Sequence, residues 1–319
     1  MNELENKRVL VTGGAGFIGF HLCRKLTSIG ANVTIYDNLS SGKLQNLRDV
    51  PRAKFEKADI LNLKQLCNAE KADLIYHLAA QVVVPYSMEN PTEDFETNAR
   101  GTLNVLEKAR RDDSHLVFAS SAAVYGNPAL MPTPESYGFH PVSCYGLSKV
   151  VGEEYCEMYG SQYGLDVTIF RFANVYGSRC HGVINDFLDK LARNPKKLDI
   201  IGTGNQARDF VHVDDVVAAL QIAALNKETF RKVYNLGFGK TTRIIDLAGM
   251  ILKILNLPQK TEITTTSASW QGDIDTIWFD ITKAKKELKW IPKISLDDHL
   301  KQLVAERNMQ LSRASLETL

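Results

Sequence analysis

The run Arg8-Val9-Leu10-Val11-Thr12 passes without a spacer into Gly13-Gly14-Ala15-Gly16-Phe17-Ile18-Gly19. A strand that turns over glycines straight into a helix constrains the fold more than any other stretch of this chain. Gly13, Gly16 and Gly19 permit a tight turn, close approach of backbone to a pyrophosphate, and close packing of helix on strand. The helix N-terminus then faces the phosphates. An isolated glycine triplet is also what a plain tight turn needs, so the assignment depends on the rest of the chain.

Downstream, strand and helix patterns alternate. Short β-branched runs at 8–12, 32–36, 54–58, 73–77, 115–119 and 166–171 are separated by helical patterns, including long ones near 91–110 and 144–163. This predicts an α/β fold with a Rossmann-type doubly wound parallel sheet. Beyond about 175 the texture changes, with turn signals at Gly177, Gly182, Gly202-Thr203-Gly204, Gly237-Phe238-Gly239 and Gly272. The expected division is a dinucleotide-binding unit over 1–175 and a smaller, mainly substrate-binding α/β unit over 176–319. The two are expected to interleave, with the runs 198–201 and 232–236 returning to the main sheet.

Charge and cysteine usage narrow the classes. Lys plus Arg (38) nearly equals Asp plus Glu (37) over 319 residues, which predicts neither a nucleic acid nor a membrane surface as partner. No apolar run precedes the first strand, and the most apolar helix, near 216–225, is short and carries Gln221, so a cytoplasmic protein is expected. Cys23, Cys67, Cys144, Cys156 and Cys180 are odd in number and lack a C-x-x-C pair, which points to reduced thiols and no metal site. Cys144 adjoins Tyr145 but has no evident activating neighbour in sequence.

Eighteen residues beyond Gly19, the second strand ends at Asp37-Asn38, where a carboxylate can accept hydrogen bonds from a ribose diol and repel a 2′-phosphate, favouring NAD over NADP. An exposed strand-end Asp is the bland alternative. Asp59-Ile60 after the third strand can meet the adenine, and Leu78-Ala79-Ala80 after the fourth offers small residues beside the cofactor. Ser121 ends the fifth strand, and Tyr145 and Lys149 lie four apart in a helical segment, on one face. A free phenol titrates at about 10, but an adjacent ammonium and the positive charge of oxidised nicotinamide both favour phenolate. Tyr145 is thereby equipped as a base near neutrality, with Ser121 bridging it to a substrate oxygen.

With these residues in hand, the chain resembles the extended short-chain dehydrogenase/reductase family over nearly all its length. The likeness is carried by Thr12 to Gly19, Asp37-Asn38-Leu39-Ser40-Ser41-Gly42, His77-Leu78-Ala79-Ala80, Asn98-Ala99-Arg100-Gly101-Thr102, Ser120-Ser121-Ala122-Ala123-Val124-Tyr125-Gly126, Arg171-Phe172-Ala173-Asn174-Val175-Tyr176-Gly177 and Arg208-Asp209-Phe210-Val211-His212-Val213-Asp214-Asp215. Within the family it is most similar to nucleotide-sugar epimerases, those acting on UDP-hexoses at C4 above all. The resemblance implies that Tyr145 removes a sugar hydroxyl proton, that a transient keto sugar forms, and that NAD stays bound and is not consumed. It also implies cofactor contacts from Phe17, Ile18, Ser41, Gly42, Asn98, Ala119, Ser120 and Phe172, with Lys149 on the nicotinamide ribose. For the substrate it implies Asn174 against the nucleotide-sugar, Val183 in the nucleotide pocket, and Arg208 on the diphosphate, with Asp273 nearby. A homodimer built from the two long helices is a further implication. Structural roles are expected for Asp209, His212 and Asp214, the last as cap of a helix starting near Val216.

The same resemblance separates reactions. The 4,6-dehydratases place Asp-Glu after the strand-end hydroxyl residue, and nucleotide-glucuronate decarboxylases usually carry a Glu there, whereas this chain has Ala122-Ala123. The additional Cys and His groups of epimerase-reductases are not identifiable, which leaves epimerisation. Two departures bear on the substrate. Trp270 stands in Ser269-Trp270-Gln271-Gly272-Asp273, where relatives have a diphosphate-binding Arg shortly before Gly-Asp. Ile277, near the position that gates the sugar C2 substituent, is of intermediate size and leaves hexose and N-acetylhexosamine open. The segment from Gln81 to Thr102 also resembles 2-epimerases of CDP-sugars.

Overall fold

The computed structural model describes residues 3–180, 182–257 and 261–305. Seven strands form one all-parallel sheet: β1 (Arg8–Thr12), β2 (Asn32–Asp37), β3 (Lys54–Lys57), β4 (Leu74–His77), β5 (His115–Ser121), β6 (Val167–Phe172) and, much later in the chain, β10 (Lys232–Leu236). Their order is β10-β6-β5-β4-β1-β2-β3. The direction of winding reverses between β1 and β4, the switch point at which such sheets bind ligands beyond their carboxyl ends. Helices cover both faces, so the central strands are apolar at nearly every position rather than alternating. Leu74 to His77 are all buried, as are His115 to Ser120. One core lies between the sheet and the helices Phe17–Ser28 and Val213–Leu225, the other beneath the helices Gly101–Asp112 and Cys144–Tyr163.

The C-terminal lobe is built around β9 (Ala207–His212). It pairs with β7 (Asn174–Tyr176) and β13 (Thr276–Ile277) in parallel and with β11 (Thr241–Arg243) antiparallel. A separate core of Phe187, Leu191, Leu247 and Ile251 lies between the helices Val183–Arg193 and Ile244–Ile254. Of the two runs expected to rejoin the main sheet, β10 does so, register Leu236 against Phe172. The other, β8 (Lys197–Ile200), instead pairs with β12 (Glu262–Thr265), because its buried Leu198 and Ile200 belong to the small lobe's core.

Two further expectations are corrected. The segment 91–110 is not one continuous α-helix. A helix Pro91–Phe95 leads through a wide π-turn, Glu96–Arg100, into Gly101–Asp112. The helix expected near Val216 begins at Val213, and its cap is His212, whose Nδ1 accepts from the Asp214 N–H at 3.2 Å; Asp214 lies in the first turn. Asp209 does have a structural role. Its buried carboxylate accepts from the backbone N–H groups of Phe238 (2.6 Å), Gly239 (3.0 Å) and Phe279 (3.2 Å), joining three segments of the small lobe.

Candidate active site

The glycine turn between β1 and the first helix is formed as its residues require. Gly13 has φ +70°, and a Cβ there would come within 2.6 Å of the Ala79 nitrogen, so the loops after β1 and β4 meet backbone to backbone. A Cβ on Gly19 would lie 2.2 Å from the Gly13 carbonyl oxygen. Gly16 begins a 12-residue helix with no side chain capping it, leaving first-turn N–H groups and the positive end of the helix dipole for an anion. Asp37, at the tip of β2, is buried. One oxygen accepts from Ala15 N–H (3.0 Å) and the other from Leu39 N–H (2.8 Å), so this carboxylate also closes the loop, each oxygen keeping a lone pair. A Cβ on Gly42 would meet it at 2.8 Å. Asn38 donates to Asp59 at 2.9 Å, tying the β2 and β3 tips together, with Ile60 buried beside them and Ser41 exposed. Leu78 and Ala79 are fixed by Thr12, and Ala80 follows them, partly buried. This backbone cradle fits a dinucleotide pyrophosphate.

Asn98 and Ser120, both expected at the cofactor, also make hydrogen bonds within the protein. Asn98 is buried in the π-turn, accepting from Gln81 N–H and donating to Gln81 O, both at 2.9 Å, and so holds the loop after β4. The Ser120 hydroxyl donates to Glu153, the buried partner of Arg171 at 2.7 Å. Sequence patterning alone missed that pair, which is joined by Tyr125 (2.7 Å to Arg171) and anchors the helix Cys144–Tyr163 to β5 and β6. The available signal was an Arg inside the mostly apolar strand run Val167–Phe172.

Ser121, at the end of β5, caps the turn Ala122–Val124 through its Oγ, which accepts from Ala123 N–H at 3.2 Å. Tyr145 stands in the first turn of the helix Cys144–Tyr163, its backbone N–H donating to Ser87 at 3.1 Å. One turn on, Lys149 is buried and donates to the Ala119 carbonyl at 3.0 Å, its Nζ 5.9 Å from the Tyr145 ring centre. Burial pushes Lys149 down to about 8, which Asp94 partly offsets. Burial pushes the Tyr145 phenol up to about 12 against a hydrogen bond from Ser121. Desolvation is thus the largest influence on the phenol in this structure, with Ser121 opposing it and Asp94 adding to it; the expected lowering called on the ammonium and the positive charge of oxidised nicotinamide together.

A cavity of about 560 Å³ opens onto these groups. Ser121, Tyr145, Phe172, Asn174, Val183, Arg208 and Asp273 all line it, with Gln206, Lys190, Phe187, Ile277 and the exposed Trp270. Arg208, on β9, pairs with Asp273 at 2.6 Å. The other lining carboxylate, Asp186, is held by Lys190 at 2.7 Å. Among the described residues no cluster of His, Cys, Asp and Glu could hold a metal ion, and no helix is long and apolar enough to cross a membrane.

A doubly wound sheet with a glycine cradle at its switch point, and Ser, Tyr and Lys converging beside it, defines a nicotinamide-dependent enzyme that works on a carbon bearing oxygen. A family model described as NAD dependent epimerase/dehydratase family matches residues 9–237, and the chain belongs to that family. It is 40% identical over 305 residues to a Methanocaldococcus jannaschii protein provisionally named UDP-glucose 4-epimerase, covering 93% of this chain and 97% of the relative. It is 34% identical to UDP-glucuronic acid decarboxylase 1 of Xenopus tropicalis, covering 95% of this chain and 73% of that protein. The crystal structure of Thermotoga maritima UDP-glucose 4-epimerase with UDP-glucose superposes with a TM-score of 0.89 at 36% identity, covering 95% of this chain and 99% of the other. NAD is the cofactor of this family, and the chain is an enzyme of the nucleotide-sugar epimerase/dehydratase type.

Proposed function

We propose that this protein interconverts UDP-glucose and UDP-galactose by epimerisation at C4. The observation that carries the reading is that Ser121 and Tyr145 share one cavity with Arg208, while the residues after Ser121 are Ala122 and Ala123. A 4,6-dehydratase or glucuronate decarboxylase needs a carboxylic acid there, and the two lining carboxylates, Asp186 and Asp273, are each held by a cation. Similarity to two proteins bearing the UDP-glucose 4-epimerase name supports it.

The glycine cradle would hold NAD, which when bound would supply a hydride acceptor and, in its reduced form, a hydride donor. The chain's own residues do the rest. Gly13, Gly16 and Gly19 admit the pyrophosphate, Asp37 takes the adenosine ribose, and Lys149 takes the nicotinamide ribose. Tyr145 accepts the proton of the C4 hydroxyl through a bridge to Ser121 and later returns it. Arg208 leaves Asp273 for the diphosphate, its planar fork matching phosphate oxygens, and Asn174 and Val183 hold the nucleotide end. Because the hydride removed from C4 is returned to C4, the net reaction is redox-neutral and consumes no cofactor.

A homodimer is part of the same reading. Phe95, Leu147 and Met158 are each more than half exposed, an apolar surface on the two helical segments that a second copy would cover. Light scattering should give twice the chain mass, and a monomer would remove this element.

The decisive experiment is proton NMR of the purified protein with UDP-galactose and no added NAD. Anomeric signals of UDP-glucose should appear. Their absence, with NAD present in the denatured protein, would reject this substrate pair and direct the assay to N-acetylated, uronic and CDP-linked sugars.

A further inference from the structure

Asp94 is a carboxylate with no exposed surface, and the chemistry of Ser121, Tyr145 and Lys149 does not by itself call for it. It lies in the helix Pro91–Phe95, just before the π-turn. Its Oδ1 accepts from Gln81 Nε2 at 2.9 Å and from Asn98 Nδ2 at 3.0 Å. Asn98 also donates to Ser148 Oγ at 3.1 Å, and Ser148 donates to the Tyr145 carbonyl at 2.9 Å. These side chains run from the loop after β4, on the cofactor side, to the first turn of the helix bearing Tyr145 and Lys149. Oδ2 of Asp94 is buried with no hydrogen bond of good geometry, although the Ser148 hydroxyl lies close enough to stabilise the charge. A buried carboxylate oxygen left without a donor calls for a reason.

The cation acting on it is the ammonium of Lys149, the residue after Ser148, with which it forms no direct ion pair among the described residues. Lys149 is buried with a single hydrogen bond, to one carbonyl, and three N–H groups to satisfy. The charged and titratable groups acting on it are Asp94, Glu153 and Cys156, and it acts in turn on His77. Glu153 is committed to Arg171, and burial holds the Cys156 thiol and the His77 ring neutral. Asp94 is the carboxylate that remains; burial raises its own pKa, and hydrogen bonds from Ser148 and Gln81 together with the Lys149 charge oppose that and favour the anion. The groups acting on Tyr145 are Ser121 and, again, Asp94.

We propose that Asp94 is a positioning residue for the reacting pair, tying the cofactor-side loop to the catalytic helix through Gln81, Asn98 and Ser148 and supplying the negative charge that balances buried Lys149. The proposal rests on Tyr145 and Lys149 being the reacting pair of the proposed epimerase.

Asp94→Asn preserves shape and removes charge. Lysine-selective ¹³C NMR, with the Lys149 signal assigned by its loss in Lys149→Met, should show the titration midpoint moving to lower pH by about one pH unit. Both limbs of the kcat/KM profile should move to lower pH together, because the same carboxylate raises Lys149 and Tyr145. At a pH above both midpoints, turnover should fall roughly tenfold when the midpoint drops by about one pH unit. Asp94→Glu should restore part of the lost midpoint, and Gln81→Ala, which loosens the network but keeps the charge, should lower activity without moving the midpoint. An unmoved Lys149 midpoint in Asp94→Asn, or an equal displacement in Gln81→Ala, would overturn the proposal. The NMR titration reads the charge coupling even if no nucleotide-sugar is epimerised, so its outcome and that of the functional reading stay separable.

Discussion

Arg208 and Asp273, 65 residues apart in sequence, meet at 2.6 Å in the wall of the cavity, both nearly buried. Burial lowers the Arg208 pKa, with Asp273 opposing that effect. In the proposed function a diphosphate would offer the same guanidinium two negative groups in place of one, the internal pair keeping the cation oriented until substrate arrives. Losing charge-assisted hydrogen bonds worth about 1.5–3 kcal/mol should weaken UDP binding roughly 10- to 100-fold in Arg208→Met, measured by calorimetry. Unchanged affinity would remove Arg208 from the phosphate site.

Tyr145→Phe deletes the proposed proton acceptor and keeps the ring. Turnover should drop by about 10²–10⁴, the range of general acid–base contributions, while NAD released on denaturation stays at the wild-type amount. Parallel loss of cofactor and activity would instead place the phenol in binding.

Lys149 acts through its charge, and the structure holds its pKa down to about 8. Below that value the ammonium is present; as pH rises through it, the cation that the proposed function assigns to the phenolate and the nicotinamide ribose is lost. The kcat/KM profile of the enzyme should therefore fall on its alkaline side with a midpoint near 8. A plateau extending well past the ordinary lysine range would show that Lys149 keeps its charge or is not required.

Two glycines of similar sequence appearance should respond in opposite ways. Gly19→Ala places a methyl 2.2 Å from the Gly13 carbonyl, and forcing that backbone apart should cost about 1–3 kcal/mol or more and abolish NAD retention. Gly249, inside the helix Ile244–Ile254, has open space within 4 Å of where a methyl would sit, and Gly249→Ala should stabilise by about 0.5–1 kcal/mol. Thermal unfolding of the two variants checks both.

The sheet was legible in the sequence because its central strands are nearly continuous apolar runs alternating with helical patterns, and the six N-terminal strands, the polar edge strand Lys54–Lys57 included, lie within two residues of their expected ends. Tyr145 and Lys149 were legible because a four-residue spacing on a helix fixes a common face. What was not legible depends on partners far along the chain. Leu198 and Ile200 read as a buried strand, but nothing local says that Ile263 rather than Val233 lies beside them. Asp94 shows the same limit in the site. Its contacts come from Gln81 and Asn98, and its lack of exposure, which makes its charge matter, is a property of packing alone.

The late return of β10 to the edge of the main sheet has a mechanical consequence. The chain leaves β6, builds part of the small lobe through β9, and then comes back to pair Lys232–Leu236 with β6 before departing again to add β11, β12 and β13. The lobes are thus stitched by repeated crossings rather than hung from one hinge. A cut after residue 175 would remove an edge strand from the very sheet it was meant to isolate, exposing β6 as an unprotected edge. Neither half is a module to be expressed or exchanged by itself, and the cleft between them inherits its width from strands that both halves share.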